Sequence, residues 1–502
     1  VNLAPAHAPA YVARWRRDLH AGWKERTVVR AFGFAALAAA VLAADGAAQR
    51  PALSNAVKNF VAFDEPVVAL THVRVIDGTG TPAKDNQTVV IADGRIQSVG
   101  PSDRVQPPRG ARIVDLPGHT VIPGIIGLHD HMYYSSVAGS MKLMAYSYPR
   151  LFLAAGVTTI RTTGSVDSYQ ELNLRAAIEA GEAVGPEIVV TGPYLQGMGG
   201  GLSAMHPLSD AEDARRMVRY WAEEGVTWFK AYTTITRAEL GAAIDEAHKH
   251  GVKVTAHLCS VGFREAVALG IDNLEHGLQV NTEFMGEKQP DRCPGGQQAA
   301  AHYAALDINS PDVQRTIREM VAKKVSMTST LAVMELSMPD RVPSDPRVLD
   351  AVLPQVREAL VRWKAGGDAQ KDPTQHAALR KAMDFERAFV QAGGLLAAGS
   401  DPCCLSAIAG YADQRNFELL VEAGFSAEQA MQIMSANGAR VLGIADRVGT
   451  IAAGKQADIV VLRGDPTAQP GDIRNVVHVF KRGYGYDAAK LTAAIAGQVG
   501  LR

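Results

Sequence analysis

Short apolar runs alternate with amphipathic stretches through the middle of the chain. The runs are "VIPGIIGLHDH" (121–131), "VTTIRTT" (157–163), "EIVVTG" (187–192) and "VTWFKAY" (226–232). Then come "VKVTAHL" (252–258), "IDNLEHG" (271–277), "VSMTSTL" (325–331) and "LLAAGSD" (395–401). Their length and content of β-branched residues suit buried strands. Between them lie segments such as "DAEDARRMVRYWAEEG" and "RAELGAAIDEAHKHG", which have helical periodicity and end at glycine. Eight strand–helix units in a row predict an α/β fold, a (β/α)8 barrel over residues 121–440. Long insertions follow the sixth and seventh runs, at roughly 279–320 and 332–390.

The flanks have a different rhythm. "VVALTHVRVIDGTG" and "TVVIADGRIQSVG" are β-rich runs stopped by Asp-Gly, and "GARIVDLPGHTVIPG" adds two short strands. After the barrel, "GTIAAGKQADIVVLRGD" and "NVVHVFKRGYGYD" again read as strands with turns. Residues 49–120 and 441–502 are therefore expected to combine into one small β-sandwich domain beside the barrel.

Residues 24–49 have a basic start, an apolar stretch over 31–43 and small residues up to Ala48. That is a secretory signal pattern, with cleavage near Ala48 and Gln49. The apolar stretch is short of the roughly 20 residues that span a bilayer, so no stable membrane span is expected in the mature chain. Residues 1–48 are set aside as a targeting segment, and the expected location is periplasmic or secreted. Residues 1–23 open on Val and carry Arg14, Arg16 and Arg17. They read as an over-extended start or a tag, with an N-terminal helix as the alternative.

The 502 residues suit a barrel enzyme with additions. Hydrophobic content is 47% and formal net charge is -1, so a large core is available and nucleic acid is not an expected partner. The four cysteines, Cys259, Cys293, Cys403 and Cys404, form no Cys-x-x-Cys pair, which argues against a structural zinc site. Cys403 and Cys404 read as packing residues, or one of them as a partner for Cys293.

Barrel active sites lie at the C-terminal ends of the strands. The first run ends at His129 and His131, the fourth holds Lys230, the fifth reaches His257, the sixth His276 and the eighth Asp401. Six metal-binding groups thus fall at one end of five strands. His129 and His131 stand at i and i+2, so they face the same side, roughly 6.5–7 Å apart along the strand. Lys230 sits in an interior strand, where desolvation lowers a lysine pKa. A neutral amine there can take up CO2 and become a carbamate, an anionic ligand able to bridge two cations. The competing reading is a lysine snorkelling to the mouth. His257 and His276 suit a second divalent ion. Asp401 closes the eighth strand and can touch both metal and water; a helix N-cap is its plain alternative. Asp130, between the two histidines, should point away and bind no metal. Tyr232 faces the same side as Lys230 and can donate to a developing oxyanion, or simply pack at the mouth. Tyr133, Tyr134, Arg161 and His206 are weaker candidates for lining the pocket.

In combination these motifs resemble the amidohydrolase superfamily. "VIPGIIGLHDH" looks like its first-strand motif, "AAGSD" like its eighth-strand motif, and "GTIAAGKQADIVVL" like the return to its β domain. "WFKAY" and "VTAHLCSVGFREAVALGIDNLEHG" are most similar to the imidazolonepropionase-like and prolidase-like branch, which includes ochratoxin A-hydrolysing amidohydrolases. One departure is that Thr162, not an acidic residue, follows Arg161. The resemblance implies two divalent ions, with zinc expected. His129 and His131 would bind the first ion, a carboxylated Lys230 would bridge, and His257 and His276 would bind the second. Asp401 would be ligand and proton shuttle. It further implies release of a C-terminal amino acid from dipeptides or N-acyl amino acids, ochratoxin A among them, and a homo-oligomer such as an octamer. A lactonase or cyclic-amide hydrolase on the same site is the alternative. A non-catalytic scaffold sits poorly with retention of all six metal-site residues.

Overall fold

The computed structural model describes residues 50–135, 140–200, 204–286, 288–294, 299–368 and 371–501. The expected targeting segment, residues 1–48, lies outside the described residues. The fold is α/β, with mixed and parallel sheets built from different parts of the chain.

Strands from both flanks interleave in one nine-stranded sheet. Val67–Val75 pairs with Lys84–Ala92, which pairs in turn with Arg95–Pro101. His119–Pro123 joins this set to the late strands Ile459–Arg463, Val476–Lys481 and Tyr484–Asp487. Two tight hairpins set the register. Asp93–Gly94 and Arg482–Gly483 both have positive φ at the two turn positions, the conformation that matches strand twist. Alternate side chains of these strands, among them Val68, Leu70, Ile91, Val121, Val461 and Phe480, form their own apolar cluster.

The run 121–131, expected as one strand, is two. His119–Pro123 lies antiparallel to Ile459–Arg463, whereas Ile125–Asp130 lies parallel to Val157–Thr162. The chain changes partner at Gly124, whose N–H donates to the carbonyl of Asp458 at 2.9 Å. No larger residue fits there, because a Cβ would stand 2.1 Å from the Thr158 hydroxyl.

Among the described residues, eight parallel strands follow, in sheets of three and five. They are numbered here β1 (Ile125–Asp130), β2 (Val157–Thr162), β3 (Glu187–Val189), β4 (Trp228–Ala231), β5 (Lys253–Ala256), β6 (Asn273–Glu275), β7 (Ser326–Ser329) and β8 (Leu396–Ala398). The orders are β3-β2-β1 and β4-β5-β6-β7-β8. Backbone bonds bridge both gaps between the sheets. Beyond β3, Leu195 N–H donates to the Lys230 carbonyl and Tyr232 N–H to the Leu195 carbonyl, both at 2.9 Å. Beyond β8, Asp401 N–H donates to the His129 carbonyl at 2.8 Å.

Helices separate the strands, and their starts are legible. Asp167, Asp210 and Thr236 cap Ser168–Glu179, Ala211–Glu223 and Arg237–Lys249, with a full capping box at Thr236 and Glu239. The insertion after β6 carries Ala299–Ala305 and Pro311–Ala322, and the one after β7 is mostly helical up to Pro373–Gln391. Among the described residues no helix is long and apolar enough to cross a membrane.

Cysteine pairing differs from expectation. Cys259 is bonded to Cys293, while Cys403 and Cys404 are free thiols 2.9 Å apart. Cys259 follows β5 and Cys293 lies in the insertion after β6, so neighbouring strands bring that pair together. The adjacent thiols follow β8, at a different part of the rim.

Gly399 sets the approach of β8 to β1. A Cβ there would meet the His129 backbone nitrogen at 2.2 Å, with no flexible atom to give way. Gly399→Ala should therefore cost about 1–3 kcal/mol of stability. A lower urea midpoint with an unchanged slope is expected, and an unchanged midpoint would contradict this account of the β1–β8 junction.

Candidate metal centre

The C-terminal ends of five strands deliver the expected donors to one place. His129 ends β1, is fully buried, and has its two ring nitrogens in different hands. Nδ1 lies 2.8 Å from Glu275 Oε2, and Nε2 lies 2.8 Å from Lys230 Nζ. His131 is also buried, with Nε2 3.0 Å from Asp401 Oδ1. The other Asp401 oxygen stands 3.6 Å from His129 Nε2 and 3.9 Å from His276 Nε2. The His276 ring lies 4.4 Å, centroid to centroid, from both His129 and His257. All six sequence-derived donors thus belong to one cluster.

Backbone conformation helps to aim two of them. His276 and Asp401 have φ of 64° and 51°, in the left-handed region that non-glycine residues rarely adopt. In an extended strand, neighbours Glu275 and His276 would face opposite sides. The left-handed turn at His276 breaks that alternation and lets both reach the centre. Such conformations concentrate at functional sites, where surrounding contacts hold them. Here, Thr330 Oγ1 lies 2.7 Å from His276 Nδ1.

Tyr232 stands beside the cluster, its ring 5.0 Å from His257 and 5.7 Å from Lys230 Nζ. Asp130 points away, accepting from Ser400 Oγ at 3.1 Å. Tyr133 packs on His131 with centroids 4.6 Å apart, and its hydroxyl is 2.8 Å from that of Tyr194. Tyr134 instead turns its hydroxyl to the Leu405 carbonyl. His206 is not part of the centre: its side chain is 61% exposed and pairs with Asp213. Arg161 lies behind the centre, fully buried, bonded to Glu275 and stacked 4.4 Å over Trp228. Thr162, the departure noted after that arginine, accepts from Thr191 N–H at 3.1 Å.

Glu275 and Tyr194 were missed by sequence reasoning. Glu275 had a signal, as a carboxylate inside an apolar run and next to a histidine already singled out. Tyr194 had almost none, because it lies in the irregular segment after β3.

Burial governs the electrostatics. Desolvation lowers all four imidazoles, with His131 falling from 6.5 to about 4 and His257 to about 3. Burial likewise takes Lys230 from 10.5 to about 8. Burial opposes ionisation of Asp401, but its interactions with His129 and His131, including the hydrogen bond from His131, more than offset it and hold the carboxyl well below its usual range. The rings are thus neutral at pH 7 and present lone pairs, as metal ligation requires.

This donor set fits a divalent cation. His129, His131 and Asp401 offer donor atoms within 4.8 Å of one another. Among the described residues, the buried His131 Nδ1 and His276 Nε2 lack hydrogen-bond partners, a state that usually signals a missing ligand or water.

A profile of the amidohydrolase family matches residues 120–484. The chain belongs to the amidohydrolase family. It is therefore a hydrolase of amide bonds, in a family that generally uses a binuclear metal site. This amidohydrolase is 24% identical over 416 residues to the dihydroorotase of Anaeromyxobacter dehalogenans, covering 78% of this chain and 86% of that protein. Its fold is similar to that of a Xaa-Pro dipeptidase with bound methionine in the active site. The TM-score is 0.62 at 20% identity, with 84% of this chain and 100% of that one covered. It is also similar in fold to the A. niger ochratoxinase, with TM-score 0.60 at 18% identity over 84% of this chain and 96% of that one.

The shifts have a consequence for stability. Between pH 6.5 and about 4 the unfolded chain binds protons that folded His131 and His257 refuse, so stability falls as pH drops through that window. The urea midpoint of chelator-treated protein should decline from pH 6.5 to 4. The His131→Asn/His257→Asn variant should decline less; an equal decline would contradict the burial argument.

Proposed function

We propose that this amidohydrolase is an exported, binuclear zinc enzyme that releases a C-terminal amino acid from dipeptides or N-acyl amino acids, ochratoxin A among them. Its eight parallel strands would close a (β/α)8 barrel, with the interleaved flanking strands as a β-sandwich domain, and the chain would assemble as a homo-oligomer. The observation that carries the reading is the convergence of His129, His131, Lys230, His257, His276 and Asp401 from β1, β4, β5, β6 and β8 on one buried rim.

His129, His131 and Asp401 would hold one ion and His257 and His276 the other, with Lys230 shared between them. The lowered Lys230 pKa supports carboxylation, since only the neutral amine adds CO2, losing one proton as the N–C bond forms. When bound, such ions polarise a carbonyl oxygen and lower the pKa of water to about 7. Asp401 has a carboxylate at the rim able to take a proton from the attacking water and deliver it to the leaving nitrogen. Burial pushes the Tyr232 hydroxyl well up, so it stays protonated and can donate to the developing oxyanion. The insertions after β6 and β7 lie where substrate choice would be made.

A cyclic-amide hydrolase or lactonase on the same site is the second reading, favoured by the likeness to dihydroorotase. A panel of N-acyl amino acids, dipeptides, ochratoxin A, cyclic amides and lactones separates them. Turnover of the open-chain amides is expected; turnover of cyclic substrates alone would sink the first reading. Lys230→Ala should remove most activity, and full turnover in that variant would refute the shared-ligand role.

A further inference from the structure

The Glu275 carboxylate is fully buried and takes donors from four strands. His129 Nδ1 of β1 reaches Oε2 at 2.8 Å. On Oε1 converge Arg161 Nη2 of β2 at 2.5 Å, Asn273 Nδ2 of β6 at 3.0 Å and the Thr255 hydroxyl of β5. None of these groups belongs to the proposed ligand set except His129.

Stability alone does not account for this arrangement. A buried ion pair commonly contributes no more than well-packed apolar residues of the same volume. This one also leaves Arg161 Nε and Nη1 without hydrogen-bond partners among the described residues. Its distinctive effect is on His129. An ionised carboxylate is an acceptor only, so it obliges Nδ1 to carry the proton. The lone pair is then on Nε2, the nitrogen that faces Lys230 Nζ and Asp401.

We propose that Glu275 is a positioning residue that locks His129 in the Nδ1–H tautomer, holding its Nε2 ready for a cation, with Arg161, Asn273 and Thr255 fixing the carboxylate in turn. This rests on the metal reading above and adds the group that selects the state of one ligand. An orienting carboxylate of this kind is typically worth about 10–100-fold in metal affinity.

The Glu275→Gln variant is the discriminating test. An amide has one accepting oxygen, and three donors, one of them a guanidinium, claim it at the Oε1 position. The NH2 group then faces His129 Nδ1, which must become the bare nitrogen. The expected result is a folded protein whose His129 carries its proton on Nε2, read from imidazole 15N shifts in metal-free, 15N-histidine-labelled protein, with His129→Asn giving the assignment. Zn2+ affinity, read by chelator competition, should fall about 10–100-fold. An unchanged tautomer with unchanged Zn2+ affinity would overturn the proposal. If Glu275→Gln does not fold, Arg161→Met/Glu275→Met removes the pair without stranding a charge. It should still bind Zn2+ more weakly, and undiminished affinity there would overturn the proposal equally. Wild-type protein that takes up no Zn2+ would defeat the metal reading instead, and the tautomer of metal-free His129 would still decide the role of Glu275.

Discussion

Desolvation at the rim of the parallel strands is the constraint on which this structure turns. Four imidazoles, an ammonium and a carboxylate are brought together; His129, His131, Lys230 and His276 are buried, and His257 and Asp401 are partly so. A buried charge is tolerated only when it is paired, neutralised or bound to a metal. The imidazoles and Lys230 move toward neutrality, while Asp401 keeps its charge because the histidines face it. That combination costs stability in the empty protein, and the same shifts prepare it to accept divalent cations.

The surrounding fold makes the rim possible. Gly399 lets β8 approach the backbone of His129, and the left-handed conformation of His276 turns its side chain inward where strand alternation would send it out. Beneath them, Glu275 ties β1, β2, β5 and β6 to a single carboxylate. Precision at the centre is therefore a property of several strands at once. It depends on polar contacts in the interior as much as on apolar packing.

Much of this was legible along the chain. The alternation of apolar runs and helical stretches located the parallel strands, and the polar residues near the ends of five of those runs lie close together in the structure. The motifs were specific enough for the amidohydrolase resemblance, which the family match bears out. Other features depend on three dimensions. The change of partner at Gly124 had a signal in the turn dipeptide Pro123-Gly124, but the partners of the two halves are not written in the run. The pairing of Cys259 with Cys293 depends on β5 and β6 being neighbours. Glu275 was obscured by a rule that usually holds: adjacent strand residues face opposite ways, so a carboxylate beside an inward histidine should point out. The left-handed turn at His276 is the exception, and nothing in "NLEHG" announces it.

The central claim is that the rim residues form a binuclear metal centre. Inductively coupled plasma mass spectrometry of the protein purified without chelators tests it most directly. Two divalent ions per chain are expected, falling to one or fewer when His257 and His276 are both replaced by Asn. Less than one ion per chain in the unaltered protein, after reconstitution with zinc and bicarbonate, would contradict it.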